Sequence, residues 1–202
     1  MNSTLSIASL VGSRICHDLI SPVGAINNGI ELLSMGGPLD SPEMALINDS
    51  VANASARIKF FRVAFGVASP EQVLGAPEVR GVAEGQYGEG RLSARWLAEG
   101  DVARAHVQAA FLSMLCVEAA LPLGGEITVE RQNSRWTISG TGRRISCDPA
   151  LWEPLSDGRA PRDLTPAQVQ FGLLPMALAE IPPSSRGQIA VSHSDAQVSI
   201  SY

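Results

Sequence analysis

Residues 7–33, IASLVGSRICHDLISPVGAINNGIELL, decide the fold of this 202-residue chain. Ile7, Val11, Ile15, Leu19, Pro22, Ile26, Ile30 and Leu33 recur at steps of four, four, four, three, four, four and three. That is the stripe of a helix buried along one side of a bundle. Gly36-Gly37-Pro38 stops the helix, and Ser41-Pro42 supplies an N-cap and a first-turn proline for the next one. Ile47, Val51, Ala54, Ile58, Phe61 and Phe65 then repeat at four, three, four, three and four, a heptad-like seam. Two helices joined by a short loop make an antiparallel hairpin. Such a hairpin has too little surface to bury both seams, so the expectation is a homodimer through residues 1–67, two copies completing a four-helix bundle.

At about 100° per residue, His17 falls roughly opposite the apolar stripe. It shares its face with Ser13, Ser21, Gly24 and Asn28, all small and polar, so a partner can approach the ring closely. A lone exposed histidine is ordinarily just a solvated side chain; its neighbours here argue for chemistry. Imidazole, with an unperturbed pKa of about 6.5, keeps one ring nitrogen free to attack while the other holds a hydrogen bond. Asp18 can fix the tautomer and strengthen the nucleophile. Ser21, one turn on, can donate to a phosphoryl oxygen, and Pro22 removes a backbone hydrogen bond beneath the histidine. The grouping suits a histidine that accepts a phosphoryl group.

In a regular hairpin, residues equidistant from the turn lie side by side, which predicts that the region of residue 60 is level with His17. Lys59, the only lysine in the chain, and Arg62 fall there, with Arg57 one turn away. Positive charge beside a phosphohistidine would stabilise its oxygens and attract an acidic partner. A solvated helix face is the plain alternative.

Composition excludes several classes. Apolar residues make up 45% and charged residues 17%, as in a globular protein. A net charge of −5 argues against nucleic acid as the main ligand, because a phosphate backbone demands a concentrated basic surface. No apolar run reaches the roughly 18 residues of a membrane span, and no secretion signal opens the chain, so no membrane association and a cytoplasmic location are expected. Cys16, Cys116 and Cys147 are odd in number and far apart, which indicates neither a disulfide framework nor a zinc site. His106 and His193 lack metal-ligand spacing and read as structural or exposed.

Residues 68–78, with two prolines and a glycine, read as a linker. Beyond it, 79–202 alternates between element types. Helices are expected at 79–87, 102–121, 149–155 and 166–178, and strands at 91–97, 127–131, 135–139, 188–192 and 196–201. The fold class is α+β: a helical hairpin followed by helices packed on a mostly antiparallel sheet. Gly85-Gln86-Tyr87-Gly88-Glu89-Gly90 lacks the lysine and hydroxyl of a phosphate-binding loop and reads as a helix end and turn.

The string His17 to Pro22 resembles the phosphoacceptor motif of sensor histidine kinases. The wider run Arg14 to Gly29, together with Ile58-Lys59-Phe60-Phe61-Arg62-Val63-Ala64-Phe65-Gly66, is similar to the ChpT-type histidine phosphotransferases of alphaproteobacteria. The resemblance implies a dimeric bundle followed by a kinase-like ATPase domain that has lost its nucleotide site. Arg14 and Asn28, inside the run that carries it, join Lys59 and Arg62 as candidate contacts to a phosphoryl group or partner.

That loss is legible in three motifs. Counting back from Gly124-Gly125 puts Cys116 where such kinases hold a magnesium-binding asparagine, and a thiol is a poor ligand for a hard cation. In Ile138-Ser139-Gly140-Thr141-Gly142, similar to the Asp-x-Gly-x-Gly box, Ile138 takes the place of the adenine-binding aspartate and cannot accept a hydrogen bond. Gln170-Phe171-Gly172-Leu173-Leu174-Pro175 keeps one glycine of the last box and sets proline where the following helix should be intact. The implied activity is that of a phosphorelay intermediate, with no cofactor bound by this chain. Its partners would be the receiver domain of a hybrid histidine kinase as donor and response regulator receivers as acceptors, with Mg2+ carried by the receiver. Arg143 and Arg144, in the turn after Gly142, are candidates for docking an acidic receiver surface. An ATP-dependent histidine kinase and a non-catalytic dimeric binding module are the competing readings.

Overall fold

The computed structural model describes residues 3–34, 42–69, 71–88 and 90–202. Helix α1 spans Ser3–Ser34 and α2 spans Pro42–Ala64, packed side by side as a hairpin. The turn residues Gly36-Gly37-Pro38 and the cap Ser41 lie outside the described residues. Close packing is visible at Gly29, where a β-carbon would run into Ile47. Pro22 is buried within α1, while Ile7, Val11, Ile15, Leu19, Ile26 and Leu33 are half-buried. Ile30 departs from its stripe and is exposed. A second apolar row, Ile20, Val23 and Ile30 on α1 with Val51 and Ile58 on α2, faces solvent in the single chain. The α2 seam therefore divides: Phe61 is buried, Val51 and Ile58 are not.

The segment after α2 contains a short strand, β1 (Val73–Leu74), paired antiparallel with β3 (Val102–Ala103). Between them come α3 (Ala76–Tyr87) and β2 (Leu92–Trp96), and β3 runs directly into α4 (Arg104–Ala119). The expected helix at 102–121 thus starts two residues late, because Val102 and Ala103 are held in the ladder. Strands β4 (Gly125–Gln132) and β5 (Arg135–Thr141) form a hairpin around Asn133, whose φ of 56° fits the left-handed region that asparagine tolerates in turns. Then follow α5 (Pro149–Ser156), a 3-10 turn (Pro166–Gln168), α6 (Val169–Ala179), β6 (Ala190–His193) and β7 (Gln197–Ser201). The sheet order is β2-β4-β5-β7-β6, with β2 and β4 parallel and every other pair antiparallel.

Helix α4 is the core element. Its apolar residues on nearly every side are buried, as expected of a helix sandwiched between a sheet and other helices. Phe111 stacks on Phe60 of α2 with ring centroids 4.4 Å apart, which joins the hairpin to the rest of the molecule in one continuous core. Polar groups reinforce this seam. Arg104 is buried and donates to the carbonyls of Val63 (2.8 Å) and Arg62 (2.9 Å), while Gln108 donates to those of Gly66 (2.8 Å) and Ala64 (3.2 Å). Three of these, on Arg62, Val63 and Ala64, are carbonyls in the last turn of α2, so the start of α4 caps the end of α2. Among the described residues no helix is long and apolar enough to cross a membrane.

Candidate functional site

His17 stands on the outside of α1 with 86% of its side chain exposed, whereas Asp18 and Arg14, which hold it, are only 12% and 15% exposed. The imidazole Nδ1 is 3.1 Å from Asp18 Oδ1. The other carboxylate oxygen, Oδ2, accepts from Arg14 Nε at 2.7 Å, an i,i+4 pair along the helix. Arg14 also donates through Nη1 to the carbonyl of Ala167 (3.0 Å), in the 3-10 turn before α6. A carboxylate only accepts, so the proton shared with Asp18 sits on Nδ1 and the lone pair is left on Nε2, which faces solvent. As a nucleophile, the ring is therefore oriented with its reactive nitrogen outward.

Beside it a cleft of about 350 Å³ runs between the two helices. From α1 it is lined by His17, Asp18, Ser21, Pro22 and Ala25, and from α2 by Asp49, Ser50, Asn53 and Arg57. Arg57 Nε donates to Asn53 Oδ1 at 2.8 Å, which fixes the guanidinium along the cleft wall. Lys59 and Arg62 are exposed and are not among the side chains lining the cleft. The reason is rotational. Lys59 comes two residues after Arg57 and so points about 200° around the helix from it, although the levels along the hairpin match. Asn28 is exposed roughly 16 Å further along α1 on the face of His17. Arg143 and Arg144 are exposed in the turn after β5, with no hydrogen bond to the hairpin among those described.

Beneath the site lies a polar pair, Tyr87 buried and Glu118 half-buried. Tyr87 at the end of α3 donates its hydroxyl to Glu118 Oε2 on α4 at 3.0 Å. Burial pushes the Glu118 carboxyl above its usual range, and the Tyr87 hydrogen bond, Arg14 and Arg57 pull it back. Burial, then Glu118, raises Tyr87 well above the ordinary phenol value. Sequence reasoning missed this pair, along with Asn53, Ala167 and Gln170. No local motif marks them, because their roles come from packing between distant segments; the adjacent aromatics Phe60 and Phe61, covering two faces of α2, were the one sequence signal that a second layer packs there.

The positions named for a nucleotide are filled by core. Cys116 is buried on α4, its thiol pushed well up by burial, and Ile138 is buried on β5. A β-carbon at Gly140 would strike Val117 and Leu121, and one at Gly142 would strike Leu121, so side chains of α4 and of the residues just after it occupy the space in front of this strand end. Gly172 lies within the continuous helix α6, which runs through Pro175 as the helix expected at 166–178 does. Phe171 and Leu174 on that helix are buried, and the helix packs against α4 and α1. This set of residues does not fit an adenosine phosphate with its metal.

Comparison with known proteins is consistent in direction. Residues 76–197 match the family model for the histidine phosphotransferase C-terminal domain. The chain is 38% identical over 167 residues to the protein phosphotransferase ChpT of Brucella abortus (strain 2308), spanning 80% of this chain and 79% of that one. Its fold is similar to the 1.7 Å structure of a bacterial phosphotransferase, with 32% identity, a TM-score of 0.76, and coverage of 100% of this chain and 97% of the other.

Proposed function

Since the chain belongs to the histidine phosphotransferase family, we propose that it relays phosphoryl groups between receiver domains through His17. The hairpin, residues 1–67, is the transfer and dimerisation unit, and residues 79–202 form a kinase-like domain that does not use ATP; the segment 68–78, expected as a linker, instead carries β1 and the first turn of α3 and packs with that domain. The observation that carries the reading is the contrast at the site: an imidazole 86% exposed, held by a carboxylate and a guanidinium that are only 12% and 15% exposed. A ring so placed is reachable by a folded partner and still oriented.

The reaction is an in-line displacement. The Nε2 lone pair forms a bond to phosphorus as the bond to the donor receiver's aspartyl oxygen breaks, returning that carboxylate. Phosphohistidine that keeps its Nδ1 proton carries positive charge in the ring, which Asp18 offsets. The receiver's own aspartate pocket brings the Mg2+, so no step needs a metal on this chain. Ser21 and Arg57 line the cleft where phosphoryl oxygens would sit, while Arg14 serves Asp18 instead of the phosphoryl group. Lys59, Arg62, Arg143 and Arg144, exposed and basic, are placed to meet the acidic rim of a receiver. The open row Ile20, Val23, Ile30, Val51 and Ile58 is the surface on which a second copy would complete the four-helix bundle.

The test is a relay assay with purified components. A phosphorylated receiver should pass acid-labile, alkali-stable label to this chain, and an unphosphorylated second receiver should then remove it. His17→Ala should abolish both steps. Labelling by ATP alone would favour the kinase reading. An unlabelled chain that still alters its partners would favour the binding module.

A further inference from the structure

Gln170 is a buried polar residue that stability alone does not explain. It is 1% exposed, and its Oε1 has no hydrogen-bond partner, while Nε2 donates to the carbonyls of Ala167 (2.9 Å) and, more distantly, Leu115 on α4 (3.4 Å). Leaving a buried acceptor unfilled is costly, and an apolar side chain of similar size at such a site is commonly neutral or stabilising. What Gln170 does hold is the Ala167 carbonyl, the same one that receives Arg14 from the hairpin. The Ala167 oxygen is thus shared by a group fixed in the core of α4 and α6 and by the guanidinium that orients Asp18.

We propose that Gln170, through the Ala167 carbonyl, acts with Arg14 as a positioning relay for phosphotransfer, fixing Asp18 so that His17 keeps its proton on Nδ1 and presents Nε2. The degenerate domain then contributes to the reaction without touching phosphate. The relay explains how an almost fully exposed ring can be oriented, since its tether, Asp18, is itself enclosed and held by Arg14, which the Ala167 carbonyl anchors in turn. Glu118 adds to the same wiring, because its carboxyl lies in the field of Arg14, Asp18 and Arg57 and is pinned by Tyr87. The relay deepens the phosphoacceptor reading of His17 and rests on it.

The experiment compares wild type with Gln170→Leu and Arg14→Lys in the full chain. Tautomer is read from long-range 1H–15N NMR correlations of the His17 ring, and transfer from a phosphorylated receiver gives kcat and KM separately. Gln170→Leu should fold with its Tm kept or raised, shift His17 from the Nδ1–H form toward Nε2–H, and lower kcat roughly three- to tenfold with KM unchanged. Arg14→Lys keeps the charge but cannot bridge Asp18 and Ala167 as a planar fork does, and it should show the same pair of changes. It carries the test if Gln170→Leu fails to fold. Folded variants with wild-type tautomer and kcat would overturn the relay. A tautomer shift with no phosphate on His17 in any variant, wild type included, would leave the relay standing and overturn the phosphoacceptor reading instead.

Discussion

Asp18→Asn is nearly isosteric and should cost this protein most of its transfer rate while sparing its fold. In the native site one carboxylate oxygen faces His17 Nδ1 at 3.1 Å and the other faces Arg14 Nε at 2.7 Å. A guanidinium has only donors, so the amide oxygen of the substituted side chain must turn to Arg14 and its NH2 group is left facing the ring. Nδ1 then has to accept, which moves the ring proton to Nε2, the nitrogen proposed to attack. A hydrogen bond to a charged group contributes about 1.5–3 kcal/mol. Because the ring is 86% exposed, water competes for it, and the lower part of that range, about 1.5–2 kcal/mol, is the appropriate figure. At about 1.4 kcal/mol per factor of ten, kcat should fall roughly ten- to thirtyfold. KM should stay unchanged, since Asp18 is 12% exposed and offers little to a docking partner. Rapid-quench transfer from a saturating phosphorylated receiver gives kcat, and a receiver concentration series gives KM. A kcat within twofold of wild type, in a variant of unchanged Tm, would refute the tautomer argument.

Other perturbations probe the scaffold. Phe111→Ala removes a fully buried ring stacked on Phe60 and edge-on to Trp96, and should destabilise by about 3–5 kcal/mol, lowering Tm by roughly 10 °C in thermal unfolding. Ile58→Glu places charge on the open α2 row; in the proposed two-fold dimer it counts twice and should weaken self-association by about two orders of magnitude in light scattering, and an unchanged mass would remove this face as the dimer seam. Burial, then Arg131, holds His106 below its ordinary value of 6.5, so between the two values the folded state binds fewer protons than the unfolded one. Stability is therefore whole above about pH 6.5 and is lost as pH falls through the folded value, a slope that His106→Phe should flatten in denaturant titrations.

The hairpin and most strands were legible because their signals are local. The four-and-three spacing of α1 places His17 outward with no knowledge of a partner, and Asn133 marks its own turn. Boundaries moved where tertiary pairing competes with local preference, as at Val102–Ala103, which join β1 before α4 begins. The site was legible as far as His17, Asp18 and Ser21, which share one helix. Its other wall was not: level along the hairpin follows from counting, but the rotation of α2 that selects Asn53 and Arg57 over Lys59 depends on which residues the core claims, and Phe60 is claimed by Phe111. Arg14 shows the same limit. The i,i+4 spacing to Asp18 is local, but the second anchor of its guanidinium, the carbonyl of Ala167, is 153 residues away and leaves no sequence signal.

The chemical identity of the phosphorylated atom decides whether this chain is a relay through His17. After exposure to a phosphorylated receiver, 31P NMR of the intact chain at neutral to alkaline pH, paired with peptide mapping, locates the phosphoryl group. A single phosphoramidate on Nε2 of His17, absent from His17→Ala, is the expected result. Phosphate on Nδ1, on a carboxylate, or on any residue outside α1 would contradict it.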